Sequence, residues 1–122
     1  MQYTGGKGIF GQQPTPTAKS ASATLTIAEL LTSIVTTSGT AAITLTLPTG
    51  TLSDAGVTAP ALPVNGCFEW AVINTGTSSG AVTLAAGTGH TIVGGAGVAI
   101  GTSAGFRTRK TAANTFVTYR VR

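Results

Sequence analysis

The chain has 122 residues, enough for one domain with its own core, because a domain of this size buries about two-thirds of the surface exposed by its unfolded chain. Only 8% of the residues are charged, against roughly 25% in ordinary soluble domains, while Thr occurs 24 times and Gly 17 times. A hydrophobic content of 42% excludes a disordered chain, and so few charges would protect a free monomer poorly against aggregation. The composition therefore predicts a component of an assembly.

The net charge of +4 comes from seven basic residues, five of which lie in the last sixteen positions. They alternate with Thr and Val as on the outer face of a β-hairpin, a pattern more typical of a solvated or interface-facing strand than of a nucleic-acid site, so we predict no nucleic-acid partner. No run of 18 apolar residues exists, which predicts no membrane partner. Cys67 is the only cysteine, and residues 1–20 do not match a secretory signal. We therefore expect synthesis in a reducing cytoplasm.

The sequence divides into a predicted extended N-terminal arm, residues 1–20, and a predicted β-sandwich domain, residues 21–122. The arm combines Gly, Gln and a Pro-Thr-Pro segment that favours extended backbone. Ile9 and Phe10 are large apolar residues within it. Two interpretations are compatible with this segment: a frayed terminus, or an arm that binds a neighbouring subunit through Ile9 and Phe10.

One amphipathic helix is predicted over residues 27–36, followed later by a single helical turn within residues 52–55. Thr26 and Glu29 have the spacing of a capping box, in which each side chain bonds a backbone N–H that the helix leaves free. Apolar residues recur at helical spacing at Ile27, Leu30, Leu31, Ile34 and Val35.

From residue 41 onward the apolar pattern has a period of two, which predicts strands. Residues 67–74 (CFEWAVIN) place Phe68, Trp70 and Val72 on one face, and we predict that they form the central core strand. Short strands at intervals of about 8–12 residues indicate a sandwich or barrel. The other predicted strands cover residues 43–47, 81–85, 90–93, 98–100, 105–110 and 115–121.

No motif of the sequence predicts catalysis. Residues 101–105 (GTSAG) match the nucleophile elbow of hydrolases, but no Asp, Glu or His follows Ser103, so we interpret them as a hairpin turn. His90 is the only histidine, and the few possible metal ligands lack ligand spacing. The glycines of residues 94–97 precede a strand rather than a helix, which indicates a tight turn. We predict a protein that is not an enzyme, with no cofactor, no metal and no catalytic residue.

From Leu25 to Val121 the chain carries TIAELLTSIV, TLTLPTGTL, FEWAVINTG, GAVTLAAGTGHTIVGG and GTSAGFRTRKTAANTFVTYRV in that order. This order of strands and turns resembles small virion structural proteins of tailed bacteriophages, of the capsid decoration (cement) type. The resemblance covers about four-fifths of the chain, from which the arm is excluded. It implies a jelly-roll-like antiparallel β-sandwich, a homotrimer, and attachment to the major capsid protein on the capsid surface of the virion. The alternative is a phage fibre or appendage module that binds a host-surface glycan.

The basic C-terminal hairpin is the second candidate for partner binding. A turn near residues 112–114 would pair its two strands and bring together Arg107, Arg109, Arg120 and Arg122. Like charges crowded in this way repel, so they must face water or a partner that carries carboxylates. Both interpretations are compatible with the sequence: a solvated edge, or a patch that meets acidic groups on the shell or on a sister subunit.

Overall fold

The computed structural model describes residues 11–57 and 61–122, and these form a mostly β structure with two mixed sheets and two short helices. No helix in the described ranges is long and apolar enough to cross a membrane. The strands are β1 (Thr17–Lys19), β2 (Ala23–Thr24), β3 (Ile34–Thr37), β4 (Ile43–Thr46), β5 (Cys67–Asn74), β6 (Val82–Ala85), β7 (His90–Val93), β8 (Gly97–Val98), β9 (Ser103–Ala112) and β10 (Thr115–Arg120), and the helices are α1 (Ile27–Leu30) and α2 (Gly50–Gly56).

Successive strands from β1 to β8 alternate between the two sheets. The six-stranded sheet has the order β1-β3-β5-β9-β10-β7, and the four-stranded sheet has the order β2-β4-β6-β8. Strands two apart in the sequence therefore lie side by side, except β5 and β7; β1, β3 and β5 run parallel, as do β2, β4 and β6. One strand of each sheet, taken together, makes one turn of a helical path that the backbone follows between the sheets. The hairpin of β9 and β10 then adds to β5 in antiparallel fashion.

The expected antiparallel arrangement is wrong, because five of the eight strand pairings within the described ranges are parallel. Parallel neighbours need a crossover connection, which is usually a helix. Here the crossover runs through a strand of the other sheet. A period of two in the sequence identifies such strands but does not specify their partners or directions.

Helix α1 is shorter than predicted. Its capping box is present: the Glu29 amide donates to Thr26 Oγ1 at 3.2 Å, and the Thr26 amide donates to Glu29 Oε1 at 2.9 Å. The helix ends at Leu30, and Ser33 has a left-handed backbone with a φ of 71°. Residues 34–37 then form β3. All four residues of β3, Ile34 to Thr37, are β-branched, which favours a strand, and the left-handed turn at Ser33 ends the helix before them.

One hydrophobic core draws residues from both sheets. Trp70 and Phe106 lie opposite each other on β5 and β9, and their rings stack with centroids 4.9 Å apart. Gly50, at the start of α2, packs against the backbone of Asn114, and an added Cβ would lie 1.9 Å from the Asn114 carbonyl oxygen. The other fully buried apolar side chains include Leu25, Leu30, Val35, Leu45, Leu47, Val72, Val82, Val98 and Phe116.

The segment predicted as an arm contains β1, which pairs in parallel with β3 in the six-stranded sheet. Pro14 and Pro16 precede this strand. Ile9 and Phe10, the candidate partner-binding residues of the arm, lie outside the described residues.

Candidate partner-binding face

The outer surface of the six-stranded sheet is uncovered by any second layer within the described ranges. Side chains alternate along a strand, so Trp70 and Phe106 point into the core while their neighbours Glu69 and Arg107 point outward. We call this surface the arginine face. It comprises Cys67, Glu69, Ile73, Val93, Gly105, Arg107, Arg109, Val117, Tyr119, Val121 and Arg122.

Arg107 and Glu69 are directly opposite each other on β9 and β5 and form an ion pair. Arg107 Nη2 lies 2.7 Å from Glu69 Oε1, and Nε lies 3.2 Å from the same oxygen. The hydrogen bond from Arg107 lowers the pKa of the Glu69 carboxyl and raises that of the guanidinium. Both side chains are about half exposed, so the pair contributes little to stability, but it neutralises Arg107.

Arg109 is held by neutral groups instead. Its Nε and Nη2 donate to the Tyr119 hydroxyl at 3.1 and 2.8 Å, and its Nη1 donates to Asn65 Oδ1 at 2.8 Å. The guanidinium carbon lies 5.7 Å from the centre of the Tyr119 ring. Asn65 lies in a turn with a left-handed φ of 69°, and its own backbone amide donates to the Lys110 carbonyl. The guanidinium is therefore fixed in place while its charge is not neutralised.

Arg122 lies over the strand at Gly105. A Cβ added to Gly105 would be 2.6 Å from Arg122 Nη2, so only glycine leaves room for the guanidinium at this point. The amide of Arg122 donates to the Gly105 carbonyl at 3.2 Å. The charge of Arg122 also helps to lower the pKa of Glu69, after the larger effect of Arg107. The arginine face thus holds three guanidinium groups and one carboxylate.

Arg120 does not belong to this face, so the expectation that four arginines come together is wrong. Arg120 is opposite Phe106, which points into the core. Its Nη1 donates to the carbonyl of Gly97, at the start of β8, at 2.5 Å and to that of Gly95, in the connection from β7 to β8, at 3.3 Å. Arg122 has the same parity as Arg120, but it follows the end of β10, where strand alternation no longer fixes the direction of a side chain.

The remaining carboxylates are engaged elsewhere in the chain. Glu29 Oε2 lies 2.7 Å from Lys19 Nζ, and Asp54 Oδ1 lies 2.7 Å from Lys110 Nζ. Asp54 Oδ2 also accepts from the Asn114 amide at 2.8 Å. Hydrogen bonds from Lys110 and then from Asn114 lower the pKa of Asp54. Together with Glu69, these are all three acidic residues of the sequence.

The single histidine is a structural residue. His90 Nδ1 lies 3.1 Å from the Pro48 carbonyl oxygen, which only accepts, so Nδ1 carries the proton of the neutral ring. His90 Nε2 then accepts from Thr118 Oγ1 at 2.6 Å, Thr118 accepts from Thr108 at 2.7 Å, and Thr108 accepts from Trp70 Nε1 at 2.9 Å. Burial lowers the pKa of His90, although the hydrogen bond to Pro48 opposes this. Sequence reasoning did not find this buried chain of donors.

The catalytic motifs considered in the sequence are not assembled into a site. Ser103 lies exposed on β9 opposite Ile73, and His90 is buried on β7 at the far edge of the same sheet. Residues 11–57 and 61–122 contain no cavity and no cluster of three metal-ligating side chains. Sequence reasoning also missed Tyr119 and Asn65 as partners of Arg109, because their contact depends on the register of three chain segments.

Comparison with protein-family models, with curated proteins and with solved structures finds no match. The candidate site therefore rests on the geometry of the arginine face.

Proposed function

We propose that the protein is a structural virion protein that binds and stabilises a phage capsid shell as a decoration protein. The observation that carries this proposal is the arginine face, an uncovered sheet surface on which the Arg109 guanidinium is held in place by neutral groups and is not neutralised. The partner is the major capsid protein on the capsid surface of the virion. A protein that binds only the assembled shell stabilises it by mass action, by about 4 kcal/mol at a thousandfold excess over the dissociation constant.

The proposal extends to architecture and assembly. Two sheets that share one core support a sandwich of the jelly-roll-like class, with mixed rather than antiparallel sheets. The edge strands β1, β7, β2 and β8 present backbone groups that a subunit contact would cover. We therefore propose a homotrimer. Ile9 and Phe10 remain candidates for contact with a neighbouring subunit.

The aromatic residues favour a shell-binding role over a glycan-binding fibre module. A glycan site needs exposed aromatic rings as a platform. Among the described residues, Trp70, Phe106 and Phe116 are buried, and Tyr119 on the arginine face is engaged by Arg109. This distribution leaves the face suited to flat contact with a protein.

Co-sedimentation of the purified protein with empty phage shells, and separately with bacterial cells, tests the proposal. We expect saturable binding to bare shells, an increase in their melting temperature, and no binding to shells that are already decorated. Light scattering should give about 36 kDa, three times the chain mass of 12.0 kDa. Binding to cells but not to shells would establish the fibre alternative, and a mass near 12.0 kDa would exclude the trimer.

A further inference from the structure

The carboxylates of the chain identify what kind of partner the arginine face requires. All three acidic side chains already bind a lysine or arginine of the same chain, at 2.7 Å in each case. Arg109 and Arg122 have no carboxylate partner among the described residues. A second copy of the chain has no unengaged acidic side chain to offer them. A carboxylate partner for Arg109 and Arg122 would therefore belong to a different molecule.

Arg109 is the residue of this face that is best prepared for recognition. Three of its five N–H groups are occupied by Tyr119 and Asn65, which leaves two for a ligand. A guanidinium held in place loses little conformational freedom on binding, and its planar fork matches the two oxygens of a carboxylate. Arg107, on the same strand, is less available to a partner because its guanidinium already forms an ion pair with Glu69.

The surroundings of Arg109 favour a protein over a nucleic acid. Ile73, Val93 and Val121 are exposed on the same face at 38%, 48% and 40%, and apolar groups of this kind pack against other side chains. Binding of single-stranded nucleic acid uses aromatic rings on which bases stack. The one aromatic ring that the structure places on this face, Tyr119, lies against the Arg109 guanidinium.

We infer that the arginine face binds the carboxylate groups of an acidic protein surface other than a copy of this chain, and that Arg109, held by Tyr119 and Asn65, is the residue that fixes its orientation. This inference deepens the proposed function by naming the chemistry of the partner surface. The contact is heterologous, and the trimer interface lies elsewhere.

A fluorescent poly-L-glutamate peptide of about 20 residues tests the inference, with affinity measured by anisotropy at low salt. Arg109→Lys keeps the charge but loses the fork, and Tyr119→Phe keeps the ring but removes the hydroxyl that holds the fork. We expect each variant to bind about three- to tenfold more weakly, the range expected for one or two exposed charge contacts. Arg120→Lys, at an arginine that lies off this face and donates to the Gly97 carbonyl, is the matched control and should bind as the parent does. Equal affinities for all four proteins would overturn the inference.

A second set of variants separates the face from net charge. Two double variants each lower the net charge by two. One carries Arg109→Gln and Arg122→Gln on the arginine face, and the other carries Thr24→Glu and Thr83→Glu at exposed positions of the four-stranded sheet. Only the arginine pair should weaken peptide binding strongly. An equal loss for both pairs would show that net charge alone attracts the peptide, and the inference would fail. Melting temperatures establish that each variant is folded.

Cys67 supplies a direct footprint. It is the only cysteine, it is exposed, and it lies opposite Arg109 on β5. Poly-glutamate should slow its alkylation by uncharged iodoacetamide in the parent and not in Arg109→Gln. Preferential binding of a 20-nucleotide single-stranded DNA through Arg109, or loss of the trimer in Arg109→Lys, would overturn the inference in favour of phosphate or of a second copy. Because the peptide contains no virion component, this result is independent of whether shells are bound.

Discussion

The two faces of the six-stranded sheet are built from the same strands but differ in how their polar groups are satisfied. On the inner face, the donors from Trp70 through Thr108 and Thr118 to His90 all find acceptors within the protein. On the outer face, Arg109 is held in place but keeps N–H groups that no described residue accepts from. A closed polar network stabilises the fold, whereas an open one is available for contact. If the proposed function holds, alternate residues of one strand serve stability and binding separately.

The largest contrast should come from the aromatic pair in the core. Phe106→Ala removes a fully buried ring that stacks on Trp70, and we expect a loss of about 3–5 kcal/mol in the free energy of unfolding. Val93→Ala on the outer face is the control and should change stability by less than about 0.5 kcal/mol. Denaturant titration measures both. Similar losses for the two variants would contradict the division between the faces.

A smaller effect should follow from opening the inner polar network. Thr118→Val keeps the shape of the side chain but leaves His90 Nε2 without a donor and Thr108 without an acceptor. Leaving buried polar groups unpaired costs about 1–3 kcal/mol. Thr91→Val, at an exposed position on β7, is the matched control with an expected change within about 0.5 kcal/mol. A Thr118→Val protein as stable as the parent would show that the network is not needed.

The smallest effect near neutral pH should be the titration of His90. Its pKa is lowered in the folded protein from an ordinary value of 6.5, so the unfolded chain binds the proton more readily. The contribution of His90 is therefore complete above pH 6.5 and is lost as the pH falls from 6.5 toward the lowered pKa. The carboxylates at Glu29, Asp54 and Glu69 also have lowered pKa values, from ordinary values of 4.5, 3.8 and 4.5, and their contributions are lost only at lower pH.

Stability measured from pH 8 to pH 5 isolates the inner face. The parent should lose stability below pH 6.5, and His90→Asn should give a flat profile over the same range. A parent profile that is also flat would mean that the buried ring takes up its proton without cost. When the titration is extended to pH 3, loss of stability only below pH 4.5 would assign the pH dependence to the ion pairs.

The sequence predicted local elements better than their arrangement. Residues 67–74 form β5 and residues 90–93 form β7 as predicted, because an apolar alternation bounded by turn residues is a local signal. The capping box at Thr26 was confirmed for the same reason. The parallel pairings could not be predicted, since they depend on a path through the other sheet. The candidate face was only partly predicted: alternation placed Arg107 and Arg109 together, but the partners of each arginine depend on tertiary register.

The alternation of successive strands between the two sheets has a consequence for the order in which the chain can fold. β9 and β10 are neighbours in the sequence, and such a hairpin forms in about 1–10 μs. Ile34 on β3 pairs with Ala71 on β5, 37 residues later in the sequence, and such distant pairings form slowly. β5 also needs β9 as a neighbour, and β7 has its place only beside β10. The sheet that carries the arginine face therefore cannot be completed before β10 has been synthesised, because β10 joins β9 to β7.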